Sequence, residues 1–264
     1  MAFDRLGDIV MHHETEGPHD APLLVLVNSL GTDLRVWDAL LPRLGGRFRT
    51  IRYDKRGHGL TDATPGSYAM HQLADDLARL LDARQAKQAI VCGLSIGGMI
   101  AQALASARPD LVRGLVLMDT AHKIGTPEMW NERIEAIRAE GIASVADAIL
   151  VRWFSPSFHS ERAAELTGWR NMLIRTPVAG YLGCCAAIRD ADLTAAARAL
   201  AVPTLCMVGE LDGSTPPALV TELAGLVPSA RLVTITGAGH LPCVEQPEDV
   251  AAAMLDFFKE TRLD

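Results

Sequence analysis

The chain has 264 residues, of which 49% are hydrophobic and 22% are charged, and its formal net charge is -7 at pH 7. This composition is typical of a globular protein rather than a disordered one. The acidic balance argues against nucleic acid as a partner, because nonspecific binding needs many Lys and Arg side chains facing the phosphates. The composition leaves the oligomeric state open, a homo-oligomer included.

The first residues lack the pattern of a signal peptide, and no apolar run reaches the ~20 residues of a membrane helix. We therefore expect a cytoplasmic protein with no membrane partner. The five cysteines are an odd number, and the adjacent pair Cys184 and Cys185 has no matching motif for a zinc or redox site. We expect buried free thiols and no bound metal, and we interpret Cys92, in an apolar run, as a packing residue.

Short apolar runs that end at Gly, Asn or Asp predict buried strands over residues 23–28, 48–54, 88–93 and 113–119. Helical periodicity fills the intervals, notably over residues 70–84 and 98–108. This alternation of strand and helix predicts a doubly wound α/β body with a mostly parallel central sheet flanked by helices.

The alternation stops after Asp119, and residues 127–192 are mostly helix-forming. It resumes with a strand, a helix, a second strand and a final helix, predicted over residues 203–209, 218–226, 231–236 and 247–260. We therefore assign residues 1–121 and 193–264 to an α/β core and residues 122–192 to an inserted helical cap.

The motif Gly-x-Ser-x-Gly occurs once at the junction of a predicted strand and a predicted helix, around Ser95. The motif alone is weak, but this context is the one in which it forms a nucleophile elbow. Small flanking residues are needed because the turn at the serine is strained and crowded. We therefore expect Ser95 to be a catalytic nucleophile.

A serine hydroxyl needs a base within reach, and eight histidines compete for that role. His240 is favoured because it follows the last predicted strand on a Gly-Ala-Gly loop at the carboxyl edge of the sheet. His58, between two glycines, is expected to stabilise a turn. The remaining histidines have no such placement and are expected to be structural or exposed: His12, His13, His19, His71, His122 and His159.

The base in turn needs a carboxylate that fixes its tautomer. Asp212 is the leading candidate, because it lies just past a buried strand and gives the chain order Ser, Asp, His. Asp119, at the end of the neighbouring predicted strand, is the alternative, and Glu210 is expected to be an exposed neighbour. Two backbone N–H groups are expected to form the oxyanion hole, those of Ile96 and Leu30.

The chain resembles the α/β-hydrolases, and within them the 3-oxoadipate enol-lactonases of bacterial aromatic catabolism. Four motifs carry the wider resemblance, at residues 28–31, 53–59, 93–98 and 237–242, and two cap motifs, at residues 152–154 and 180–190, are similar to those of the lactonases. Asn28 and Ser29 stand where many hydrolases have His-Gly, a departure that the lactonases share. The resemblance implies an α/β-hydrolase fold and hydrolysis of 3-oxoadipate enol-lactone through an acyl-enzyme, in the β-ketoadipate pathway, without a cofactor.

Other functions are compatible with the same residues. A broad carboxylesterase or a perhydrolase-like enzyme would use the same triad, and a noncatalytic ligand receptor would keep the same sheet and cap. The chain ends after its final helix, so we expect only the hydrolase activity and not that of the decarboxylase domain that some relatives carry.

The enol-lactone implied by the resemblance is an anionic small molecule, because it keeps a free carboxylate away from the scissile bond. Arg133 is the preferred partner for that charge, since Trp130 and Arg133 are three residues apart and share a helix face. Arg189 is the second choice, and Trp153, in the first of the two cap motifs, is a further candidate for substrate contact.

Overall fold

A computed structural model describes residues 1–228 and 230–264. Within these two ranges, the strands are β1 (Ala2–Leu6), β2 (Ile9–Glu16), β3 (Leu23–Val27), β4 (Arg49–Tyr53), β5 (Ala89–Leu94), β6 (Val112–Met118), β7 (Thr204–Gly209) and β8 (Arg231–Ile235). They form one sheet in the order β1-β2-β4-β3-β5-β6-β7-β8. β2 runs antiparallel to both of its neighbours, and every other neighbouring pair is parallel.

The six predicted strands are confirmed as β3 to β8, each within one residue at either end. In β3, β5 and β7 every residue is buried, as expected for strands covered on both faces. β1 and β2 were not predicted. β1 alternates between partly and fully exposed residues until Leu6, which is the pattern of an edge strand with one face in water.

The helices follow the chain as α1 (Met70–Ala83), α2 (Ile96–Ala107), α3 (Pro127–Glu140), α4 (Ala143–Trp153), α5 (Pro156–Glu161), α6 (Ala163–Ile174), α7 (Val178–Asp190), α8 (Thr194–Ala199), α9 (Pro217–Leu226), α10 (Pro242–Glu245) and α11 (Pro247–Thr261). α2 packs on β5, β6 and α1, and α11 packs on β8. The helices α3 to α7 lie in the segment predicted as a cap. In the ranges described here, no helix is both long and apolar enough to span a membrane.

Local sequence explains where the cap helices begin. Thr126 caps α3 by accepting a hydrogen bond from the Met129 N–H, and Pro127 occupies the first turn, where its missing N–H costs nothing. Ser155 caps α5 in the same way, followed by Pro156. Pro127 and Pro156 therefore mark the starts of α3 and α5.

All five cysteines are free thiols in the core, as predicted. Burial raises the pKa of the Cys92 thiol, so it stays protonated at neutral pH. A protonated, enclosed thiol is a poor nucleophile, which agrees with its interpretation as a packing residue.

The sharp turn between β5 and α2 sets the position of Ser95. Ser95 has φ 58° and ψ -120°, a strained conformation for a residue with a side chain. The turn is also crowded: a Cβ added at Gly97 would lie 2.1 Å from the carbonyl oxygen of Val27 on β3, and one at Gly93 would lie 2.2 Å from that of Gly97. The first turn of α2 can therefore sit against the sheet only because these positions are glycine.

We expect Gly97→Ala to destabilise the protein by about 1–3 kcal/mol, because the new methyl group meets backbone that cannot move aside as a side chain could. Urea unfolding followed by circular dichroism measures the change. The matched control is Gly168→Ala in α6, where an added Cβ meets nothing within 4 Å. That change should stabilise the helix by roughly 0.5–1 kcal/mol. Equal effects of the two substitutions would contradict the close approach at Gly97.

Candidate active site

Ser95 lies at the floor of a cavity of about 60 Å³ between the carboxyl edge of the sheet and the cap. His240 and Leu30 border the same cavity, so the predicted nucleophile, base and one predicted oxyanion donor face one space. Across the residues that the structure describes, no hydrogen bond joins Ser95 Oγ to His240 Nε2. Such contacts commonly tighten only when substrate is bound.

Asp212 holds the imidazole ring of His240 in place through a hydrogen bond. Nδ1 of the imidazole lies 2.9 Å from Asp212 Oδ2, and both side chains are almost fully buried. The other donors to the Asp212 carboxylate are the N–H groups of Ser214 and Thr215, at 2.7 and 3.1 Å, and the Thr215 hydroxyl, at 2.7 Å. Burial alone would raise the pKa of Asp212, but His240 and these hydrogen bonds outweigh it and lower the pKa. Asp212 therefore stays ionised and can orient the base.

Asp119, the alternative acid, lies beside this pair but is bonded elsewhere. Its Oδ1 accepts the Gly209 N–H at 2.8 Å, and its buried Oδ2 accepts no hydrogen bond from any residue that the structure describes. Burial, followed by the neighbouring charge of Asp212, raises the pKa of Asp119 well above the usual range. This environment favours the neutral form of Asp119 over the carboxylate, so Asp119 is less suited than Asp212 to stabilising an imidazolium.

Ligand atoms of Asp119, Asp212 and His240 lie within 4.8 Å of one another, the one grouping of potential metal ligands found among the residues described. Two of these atoms, His240 Nδ1 and Asp212 Oδ2, are already bonded to each other. The donor set therefore fits a charge-orienting pair better than a metal site.

The turn after β3 carries the second predicted oxyanion donor. Leu30 borders the cavity with Ser95, and Ile96 is the first residue of α2, where a helix leaves its N–H free. Gly31, with φ 75°, donates its N–H to His58 Nε2 at 2.9 Å. Burial and the nearby Lys55 lower the pKa of His58 well below its usual value, so the ring is neutral and Nε2 is the acceptor. His58 therefore stabilises this turn, as the sequence suggested.

The cap contributes an aromatic and cationic wall to the cavity. Trp130, Arg133 and Trp153, all proposed from the sequence, line it. The Arg133 guanidinium lies over the Trp130 ring, 4.8 Å from its centroid, as their shared helix face predicted.

Sequence reasoning missed Arg152, which also lines the cavity. Burial, followed by the positive charge of Arg133, lowers the pKa of Arg152. In the part of the chain that the structure describes, neither arginine forms an ion pair with a carboxylate. The sequence did place Arg152 directly before Trp153 in a cap motif. A single arginine on a helix is usually expected to be solvated, however, so the motif did not identify Arg152 as a cavity residue.

The structure does not bring Arg189 to this cavity. Its guanidinium donates to both oxygens of Asp190, and to Asn131 Oδ1 at 2.9 Å, on the outside of the cap. An arginine already paired at the surface has no free face for a substrate in the cavity. The expectation that Arg189 contacts substrate is therefore corrected.

The end of α4 connects the cap to the loops that carry His240 and Asp212. The carbonyl oxygen of Trp153 accepts the His240 N–H at 2.8 Å, and that of Arg152 accepts the Gly213 N–H at 3.3 Å. Glu245 joins the same parts, since it accepts the Gly239 N–H at 2.7 Å and the Ser155 hydroxyl at 2.5 Å. The position of His240 therefore depends on the cap as well as on the sheet.

Comparison with known proteins agrees with this architecture. The chain is 32% identical to 3-oxoadipate enol-lactonase 2 of Acinetobacter baylyi over 241 residues, which cover 91% of this chain and 90% of that protein. The crystal structure of the enol-lactonase from Burkholderia xenovorans LB400 superposes with a TM-score of 0.94 at 35% identity, covering 98% of this chain and all of the other. A malate-bound thermophilic esterase from Thermogutta terrifontis is 31% identical, with a TM-score of 0.90 over 96% of this chain and 94% of the other. A model of the alpha/beta hydrolase family matches residues 24–253. The chain therefore belongs to the alpha/beta hydrolase family.

Proposed function

We propose that this protein hydrolyses 3-oxoadipate enol-lactone to 3-oxoadipate, in the β-ketoadipate pathway of aromatic degradation. The observation that carries the proposal is a serine, histidine and aspartate set beneath a small pocket whose cap wall holds Arg133 and Arg152 without carboxylate partners. Two half-buried cations in a small cavity suit a small anionic substrate. The similarity to enol-lactonases and to an esterase crystallised with malate, a dicarboxylate, supports the same substrate class.

In the proposed reaction, Ser95 Oγ attacks the lactone carbonyl while His240 Nε2 takes its proton. The N–H groups of Leu30 and Ile96 stabilise the oxyanion that forms. Collapse breaks the ring C–O bond, and the departing enolate takes the proton from His240, becomes the ketone and stays tethered to the acyl group. Water then attacks the acyl-enzyme with His240 as base, and one water molecule is consumed for each 3-oxo acid released.

The pocket also argues against a substrate with a long acyl chain. Pimeloyl-carrier-protein methyl ester esterases of Yersinia are 28% identical to this chain. A cavity of about 60 Å³ lined by Trp130 and Trp153 favours a compact ring over such a chain. The direct test is to assay purified protein with enzymatically generated 3-oxoadipate enol-lactone and with a neutral aryl ester. A kcat/KM no higher for the lactone would favour the broad carboxylesterase instead.

We expect Ser95→Ala to fold normally and to lose several orders of magnitude in kcat, since it removes the nucleophile. Lactone hydrolysis and labelling by a fluorophosphonate probe measure the loss. A folded Ser95→Ala protein with near-normal turnover would remove Ser95 from the mechanism. A wild-type protein that neither labels nor hydrolyses would favour the noncatalytic receptor.

The two buried aspartates should respond differently to the same chemical change. Asp212→Asn should lower kcat by up to ~10⁴, because an amide favours the wrong His240 tautomer. Asp119→Asn should cost less than about tenfold in kcat, because burial favours the neutral form of Asp119 and an amide is also neutral. Steady-state kinetics of both variants at pH 7 make the comparison. If Asp119→Asn proved the more damaging, Asp119 and not Asp212 would be the acid of the triad.

Arg133→Met should lower kcat/KM for the lactone by the equivalent of ~2–4 kcal/mol in transition-state free energy. It should hardly change kcat/KM for a neutral aryl ester, because only the lactone carries a carboxylate. Arg189→Met is the matched control, since Arg189 is on the same cap but outside the cavity, and should change neither value. Equal losses on both substrates for Arg133→Met would mean that Arg133 supports the cap rather than selecting the substrate.

A further inference from the structure

Lys55 is a buried cation with an unusual set of partners. It is 1% exposed and, across the described residues, forms no ion pair with a carboxylate. Its Nζ donates to the carbonyl oxygen of Ser29 at 2.5 Å and more distantly to that of Thr32, at 3.4 Å. Burying an ammonium group with only carbonyl partners is costly, so its presence beside the active site calls for a functional explanation.

The carbonyl that Lys55 contacts belongs to the peptide group of the predicted oxyanion donor. Ser29 C=O and Leu30 N–H are the two ends of one trans peptide, so they point in opposite directions. Lys55 lies at the carbonyl end, and Leu30 borders the cavity above Ser95. The Ser29 oxygen also accepts hydrogen bonds from the N–H and the hydroxyl of Thr32, at 3.3 and 3.0 Å. Lys55 and Thr32 therefore both donate to this one oxygen.

We propose that the Lys55 ammonium polarises the Ser29–Leu30 peptide and so strengthens the Leu30 N–H as a donor to the reaction's oxyanion. This inference rests on the proposed acyl-transfer chemistry at Ser95. A hydrogen bond accepted at one end of a peptide increases the dipole at the other, and the effect is larger in a buried site and with a charged donor. Lys55 is thus a positioning and polarising residue that never touches the substrate.

The protonation of Lys55 gives the proposal a pH signature. Burial lowers the pKa of Lys55 from 10.5 to about 8, and the surrounding groups that oppose this shift are the Cys184 thiol on α7 and the carboxylates of Asp54 and Asp33. His58, next to Lys55, is neutral. The ammonium is therefore present below pH 8 and lost above it, so the polarisation should fade as the pH rises through about 8.

The test is Lys55→Met, which keeps much of the apolar stem and removes the charge. With p-nitrophenyl acetate at pH 7, kcat should fall by about tenfold with a smaller change in KM, because the oxyanion exists only in the transition state. Wild-type kcat should decline above pH 8, and the Lys55→Met profile should lack that decline. Lys55→Gln, a neutral variant that is polar, should show the same profile and serves if the Met variant does not fold.

Thr32→Val is the matched control, because it removes a neutral donor to the same Ser29 oxygen and leaves Lys55 in place. It should lower kcat less than Lys55→Met does and keep the decline above pH 8. The melting temperature adds a second readout: folding lowers the Lys55 pKa, so the buried charge destabilises the native state at pH 7, and this cost shrinks as pH rises from 8 to 10.5. Lys55→Met should therefore not melt below wild type at pH 7.

Unchanged kcat and an unchanged pH profile in a folded Lys55→Met protein would overturn the proposal. Equal losses in Lys55→Met and Thr32→Val would also overturn it, because they would indicate simple support of the turn. The aryl ester keeps this result separate from the substrate assignment. A wild-type enzyme that hydrolyses p-nitrophenyl acetate but not the lactone would refute the lactonase function and leave the Lys55 comparison valid, whereas a wild type inactive on both would refute the two together.

Discussion

The close approach of the first turn of α2 to the strand β3 is the constraint on which the site depends. Gly97 lies so near the Val27 carbonyl that no side chain fits between them. This contact holds the strained Ser95 at the edge of the sheet, directly before Ile96, the first residue of α2. The turn after β3, which begins one residue beyond Val27, is brought to the same place. One backbone contact thus bears on the positions of Ser95, Ile96 and Leu30.

Electrostatics then separates the roles of groups that look alike in the sequence. Asp212 and Asp119 follow neighbouring strands, yet His240 and hydrogen-bond donors lower the pKa of Asp212 while burial raises that of Asp119. Of His58 and His240, His240 is the one that contacts the Asp212 carboxylate and borders the cavity. The chemistry of each side chain follows from which hydrogen bonds its loop supplies.

The parts of the fold and site that depend on local pattern could be predicted from the sequence. Apolar runs predicted β3 to β8, and the order of motifs pointed to Ser95, Asp212 and His240. In the structure Ser95 and His240 border one cavity, and Asp212 is hydrogen-bonded to His240. β1 and β2 were not predicted because polar residues interrupt their apolar pattern and because β2 pairs with β4, which is distant in the chain. The enclosure of Lys55 and Arg152 was not predicted either, because elements far away in the chain determine whether a cationic side chain is solvated or enclosed. For the same reason, Arg189 was wrongly expected to reach the cavity.

The hydrogen bonds from the end of α4 to the loops of His240 and Asp212 have a consequence for how such enzymes diverge. A cap exchanged between relatives must bring backbone carbonyls to the places of Arg152 and Trp153, whatever side chains it presents to the substrate. Side-chain replacement on α3 can alter selectivity while leaving the imidazole seated. Insertion or deletion at the end of α4 would instead displace His240, because it would shift the Trp153 carbonyl oxygen that accepts the His240 N–H. New substrates are therefore more accessible to evolution through point changes in the cap than through its wholesale replacement.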